Sequence, residues 1–118
     1  MKDNLPIQDK RVLQILTELE TKLQELLGDD LVRIVLYGSY AQNEQNKESD
    51  MDIMVLVNKE EPDLRRYDPA VVAISVEMAQ KYDVILSIIF KSYAQFQYYL
   101  DVLPFYMNVQ NEGIPIYG

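Results

Sequence analysis

The chain contains no cysteine and no histidine. Lack of cysteine excludes disulfides and thiolate metal sites, and leaves redox compartment unreadable from cysteine usage. With histidine missing as well, zinc loses its usual ligands, and no imidazole is available as a general base. Long apolar runs are absent too. No stretch approaches the ~20 apolar residues of a membrane span, and the opening MKDNLPIQDKR has no run of signal-peptide length, so neither a span nor export is expected and the protein is read as cytoplasmic. Positive charge is scarce: eleven Lys and Arg stand against nineteen Asp and Glu, a formal net charge of -8. That field disfavours direct contact with nucleic acid. It suits a basic protein partner or divalent cations, although acidity is also a common solubility device.

What is present describes an ordinary globular domain. With 118 residues, 48% of them hydrophobic, the chain can furnish one core, and a single domain over residues 1–118 is expected. From about Gln8 to Leu27 the apolar residues Val12, Leu13, Ile15, Leu16, Leu19, Leu23, Leu26 and Leu27 recur at helical spacing, and Gly28 follows as a stop. Val32 to Tyr37 reads as a buried strand entering a tight turn at Gly38-Ser39, and Met51 to Val57 as a second strand. Asn58 to Tyr67 is a charged connection. Asp68-Pro69 opens a helix to about Lys81, with Val71, Ile74, Ser75 and Met78 on its inner face. Asp83 then opens a third strand ending at Phe90. Ser92 with Gln95 matches a capping box for a last helix to about Val102, with Phe96, Tyr99 and Leu100 inward and Tyr98 outward. After Pro104 one helical turn and a short extended IPIY segment are expected.

The chemistry is concentrated in Gly38-Ser39, ten further residues, and Asp50-Met51-Asp52. Successive strand side chains point to opposite faces, so Asp50 and Asp52 project together. If the strand from Asp83 lies beside them, three carboxylates share one sheet edge. Such a group repels itself unless a cation sits in it, and oxygen ligands select Mg²⁺ or Mn²⁺. A lone pair of acids is ordinarily a turn residue and an exposed strand residue. Asp52, however, interrupts an otherwise apolar strand, where an ionised carboxylate is costly unless paired or metal-bound. With histidine missing, the general base must be a carboxylate, with Asp83 the candidate, or else the metal itself activates the nucleophile. Gly38 permits close approach of a phosphate to the backbone, and Ser39 adds a hydroxyl.

The segment LYGSYAQNEQNKESDMDIMVLV, with a third acid in YDVILSII, resembles the Gly-Ser, ten-residue gap, Asp-x-Asp signature of minimal nucleotidyltransferases in the polymerase-β-like superfamily. The resemblance covers Ile34 to Phe90, core motifs 34–90. It implies an α/β (α+β) fold, a mixed sheet flanked by helices. It also implies Gly38 and Ser39 as phosphate holders, Asp50, Asp52 and Asp83 as metal ligands and catalytic residues, Mg²⁺ or Mn²⁺, and a nucleoside triphosphate, ATP by expectation, as donor. Where such proteins often carry Ala-Arg-Gly after the serine, this chain has Ala41-Gln42-Asn43, so a basic phosphate ligand is missing and Lys47 or Arg65-Arg66 would have to replace it.

Relatives of this kind are typically encoded beside a HEPN-domain ribonuclease toxin and act as its antitoxin, in some cases by adenylylating a toxin tyrosine. The resemblance therefore implies AMP transfer to a hydroxyl of such a partner, with self-association left open. The competing reading is a catalytically weak binding module of the same fold that neutralises the toxin by complex formation. Transfer to an antibiotic or other small molecule is disfavoured, because the chain has no room for an acceptor-gripping domain.

Overall fold

A computed structural model describes residues 5–118. Asp9 caps the first helix, its carboxylate accepting from the backbone N–H groups of Arg11 at 2.8 Å and Val12 at 3.3 Å. That helix, α1, spans Lys10–Leu27 and buries Val12, Ile15, Leu16, Leu19, Leu23 and Leu27, one continuous stripe. Gly28 ends it at φ +55°. Four strands follow in chain order, β1 Leu31–Tyr37, β2 Met51–Val57, β3 Leu86–Ser92 and β4 Ile114–Tyr117. They form one sheet in the order β3-β2-β1-β4. β1 pairs antiparallel with β2 and β4, while β2 and β3 are parallel, as their connection through a helix requires. The result is the mixed sheet flanked by helices that the sequence implied.

The charged connection is more ordered than its composition suggested. It holds a short helix α2, Glu61–Leu64, and a 3₁₀ turn, Arg65–Tyr67, that runs straight into α3, Asp68–Tyr82. Asp68 is therefore a helical residue and not an N-cap. After β3, the Ser92 hydroxyl caps α4, Tyr93–Tyr99, accepting from the Gln95 N–H at 3.3 Å. Beyond Pro104 comes a nine-residue helix, α5, Pro104–Glu112, where one turn was expected. The expected extended tail is β4.

Alternation along the strands divides the core between the two faces. Ile34, Leu36, Met51, Ile53, Val55 and Val57 pack on one side with the apolar stripe of α1 and with Met78 of α3. Val35, Met54 and Leu56 pack on the other with Phe96 of α4 and Tyr106 and Val109 of α5. Fully buried leucines and isoleucines each contribute roughly 1.5–3 kcal/mol, so this two-sided burial holds the sheet rigid. One expectation for the last helices needs correction. Tyr99, expected inward, is exposed at the last residue of α4, and Tyr106 of α5 is buried in that layer instead. Among the described residues, no helix is long and apolar enough to cross a membrane.

Candidate active site

The site is built where β1 ends and β2 and β3 begin. β1 passes from Tyr37 into Gly38, which adopts φ +74° and starts a 3₁₀ turn, Gly38–Tyr40. Across the ladder Tyr37 is the register partner of Asp52. The turn is held by Ala41 N–H donating to the Gly38 carbonyl at 3.1 Å and Glu44 N–H donating to the Ser39 carbonyl at 2.9 Å. A Cβ at position 38 would overlap the Asp52 carboxylate oxygen Oδ2. The glycine is thus required twice, by its positive φ and by the carboxylate against it.

Asp52 alternates with buried Met51 and Ile53, so it emerges on the α4/α5 side of the sheet together with Tyr37, and Asp50, the residue just before the strand, lies close enough for its charge to act on Asp52. Burial, and then the charge of Asp50, hold the Asp52 carboxyl above the usual carboxylate range. The Tyr37 hydroxyl is pushed up to about 12, first by burial and then by Asp52. Tyr37 therefore stays neutral and packs edge-on against Phe105, ring centroids 5.5 Å apart. A self-repelling pair of oxygen ligands, one partly desolvated, is the donor set a hard divalent cation fits.

Asp83 is placed differently from the expectation. It does not open β3. It caps α3 in the left-handed conformation, φ 53° and ψ 48°, its N–H donating to the Ala79 carbonyl at 2.9 Å, and the strand begins three residues later at Leu86. The parallel register sets Ser87 beside Asp52, and Ile85, whose carbonyl accepts from Met51 N–H at 2.8 Å, beside Asp50. Val84 and Leu86 belong to the α1/α3 core, so Ile85 shares the face of the two acids. Among the described residues no three carboxylates are gathered for a metal ion, so the three-acid cluster is not assembled; a pair stands alone.

Asp83 does share a cavity with Asp50. A cleft of about 620 Å³ beside the pair is lined by Asp50, Asp83, Lys47, Arg11, Tyr40 and Ile85, among others. Gly38, Ser39 and Asp52 lie outside its lining, and Tyr40 is the residue of the turn that reaches it. Of the basic residues considered as phosphate ligands, Lys47 reaches this cleft. Arg65 and Arg66 do not: Arg66 donates to the Tyr67 hydroxyl at 3.1 Å, and Tyr67 stacks on Phe90 toward the far end of β3. Sequence reasoning missed Arg11, which the docking of α1 brings to the cleft and whose guanidinium donates to the Tyr82 carbonyl. It also missed Tyr37 and Phe105; only the β1–β2 register could have exposed the first, and nothing local the second.

Residues 16–114 match the family model described as Nucleotidyltransferase domain. A Methanocaldococcus jannaschii protein named "Putative protein adenylyltransferase MJ0141" is 36% identical over 81 residues, which cover 68% of this chain and 80% of that protein. A second from the same organism, "Putative protein adenylyltransferase MJ1305", is 38% identical over 50 residues, 42% of this chain and 34% of that protein. Among solved structures, a toxin-antitoxin with AMP-PNP superposes with a TM-score of 0.59 at 21% identity, covering 87% of this chain and 73% of that one. A mutant of the toxin-antitoxin MntA-HpeT, carrying two aspartate-to-glutamate exchanges two positions apart, gives 0.56 at 19% identity, covering 87% and 72%. At these identities the likeness is one of fold.

Proposed function

This chain belongs to the nucleotidyltransferase domain family, and from that premise we propose that it transfers AMP from ATP to a hydroxyl of a partner protein, a HEPN-domain toxin tyrosine, and thereby acts as an antitoxin. The observation that carries the reading is the nearness of Asp50, at the entry to β2, to Asp52 within it, with the Gly38 backbone pressed against Asp52. The adenylyltransferase name of the M. jannaschii relatives supports AMP as the transferred group, and the toxin-antitoxin neighbours support the biological role. The neighbour mutant with paired aspartate exchanges matches the spacing of Asp50 and Asp52.

In this reading Asp50 and Asp52 hold Mg²⁺ or Mn²⁺, which when bound neutralises the triphosphate and the departing pyrophosphate. Gly38 lets the phosphates approach the backbone, and Ser39 donates its hydroxyl to them. Lys47 and Arg11 line the cleft beside Asp50 and supply the positive charge that the turn lacks. The acceptor oxygen attacks the α-phosphorus, the α–β anhydride bond breaks, and pyrophosphate leaves. The hydroxyl proton passes to a carboxylate, for which Asp83 in the same cleft is the candidate.

The binding-module reading keeps one specific support: β3 and the residue before it offer Ser87 and Ile85 where a further carboxylate would stand. Incubation with Mg²⁺, the HEPN-domain partner and ATP labelled at the α-phosphate separates the two. Covalent label on the partner, lost in Asp52→Asn, is the expected result; a stable complex that never takes label would leave the binding module.

A further inference from the structure

Among the described residues nine large apolar side chains are exposed, and six of them, Tyr98, Tyr99, Val102, Leu103, Phe105 and Met107, fall within the ten residues around the α4–α5 corner. Val102 is 66% exposed and Phe105 42%. Scattered exposed apolar residues need no explanation, but a contiguous group does. This one reaches the acids: Phe105 lies edge-on to Tyr37, and Tyr37 is the ladder partner of Asp52. On the other side Ile85, 64% exposed, stands beside Asp50. The pair is thus bordered by exposed apolar side chains from two different elements.

We propose that the α4–α5 corner is the docking surface for the protein that accepts the nucleotide, a partner with an apolar patch bordered by lysine and arginine; the inference rests on the transfer reading above. The strip itself, YYLDVLPFYM, holds Asp101 and no lysine or arginine, which fits no phosphate backbone. A second copy is a poor occupant. A two-fold contact there would set Asp101, Asp50 and Asp52 of each copy against the same acids of the other. A basic partner meets that charge favourably, while the apolar centre supplies the anchor. The α4–α5 corner would then do the work of an acceptor domain and bring the partner's hydroxyl to the pair.

The test uses the full chain and the HEPN-domain partner. Val102→Lys/Met107→Lys leaves Phe105 on Tyr37, so the site should keep its shape; Phe105→Lys is the second variant. Affinity for the partner should weaken at least ~10-fold in both, the scale of a lost interface anchor. In the double variant the melting shift given by Mg²⁺ with ATP should match wild type. Partner affinity within twofold of wild type would overturn the docking surface, as would a wild-type dimer that the lysines dissolve or a wild-type chain that binds no partner. Label transfer is scored separately: a complex that forms through the corner but takes no label would overturn the transfer reading while leaving the docking surface standing.

Discussion

Gly38 and Asp52 are built against each other: the turn glycine leaves β1 at φ +74°, and the space a Cβ would take there is already filled by the Asp52 carboxylate. The Gly38 turn and the acidic strand are therefore one structure, and a change in either is felt by the other.

Gly38→Ala should cost about 1–2 kcal/mol from the left-handed backbone alone, with a further loss from displacing Asp52. Only Asp52 atoms crowd that position, and its own Cβ lies at an ordinary 3.5 Å. In an Asp52→Ala background the alanine should then cost the backbone part alone. Urea unfolding of the four proteins measures this coupling, expected at roughly 0.5–3 kcal/mol for residues in contact. Additive effects would mean that the turn and the carboxylate are independent.

The raised Asp52 carboxyl has a signed consequence for pH. A carboxyl that holds its proton more tightly folded than unfolded makes stability fall as pH rises from its ordinary value, about 3.9, through the raised one. The loss remains at neutral pH. Asp52→Asn removes it, so in chelator the variant should exceed wild type in stability at pH 7, with the difference closing as pH falls toward 4. A variant less stable than wild type at pH 7 would identify Asp52 as a structural hydrogen-bond acceptor.

Asp50→Asn and Asp52→Asn should each lower label transfer more than ~100-fold, the scale of removing a principal electrostatic stabiliser. Ser39→Ala deletes one donor from a turn otherwise made of backbone. Its KM for ATP should rise roughly tenfold, about 1–1.5 kcal/mol, with kcat little changed. Steady-state kinetics across the three variants distinguish ligand loss from weaker phosphate binding; near-normal transfer by Asp52→Asn would remove Asp52 from the metal.

The acids and the strand that carries them were legible because alternation is local: β2 spans Met51–Val57 as read, with Asp52 the polar interruption. Asp83 was misplaced because its pattern was also that of a strand start. The structure instead continues α3 to Tyr82, and aspartate tolerates the left-handed cap that follows. Arg11 and Phe105 were illegible for another reason. Their neighbours at the site lie far along the chain, and only the packing of α1 and α5 on the sheet brings them there. Tyr99 failed for a similar reason: Tyr106 and Val109 of α5 fill the layer beside Phe96, and nothing near Tyr99 in the sequence shows that α5 packs there.

Asp83 lines the cleft with Asp50 while the position beside the pair carries Ile85, and two substitutions decide whether Asp83 is the third acid. Asparagine also tolerates the left-handed region, so Asp83→Asn should keep the fold, with a melting temperature close to wild type. If Asp83 takes the acceptor's proton, this variant should lose transfer most strongly at low pH while its Mg²⁺ affinity, read by calorimetry, stays unchanged. Ile85→Asp does the opposite. The side chain at 85 lines the same cleft as Asp50 and is exposed, so a carboxylate there joins the acids without disturbing the core. Three like charges should then destabilise the metal-free protein at neutral pH, and Mn²⁺ should bind more tightly and raise the melting temperature more than in wild type. The two variants thus move different quantities. Should Asp83→Asn abolish Mg²⁺ binding and Ile85→Asp leave Mn²⁺ affinity unaltered, Asp83 would be the third ligand, reached by a movement of the α3–β3 turn, and the carboxylate pair would not be the whole metal site.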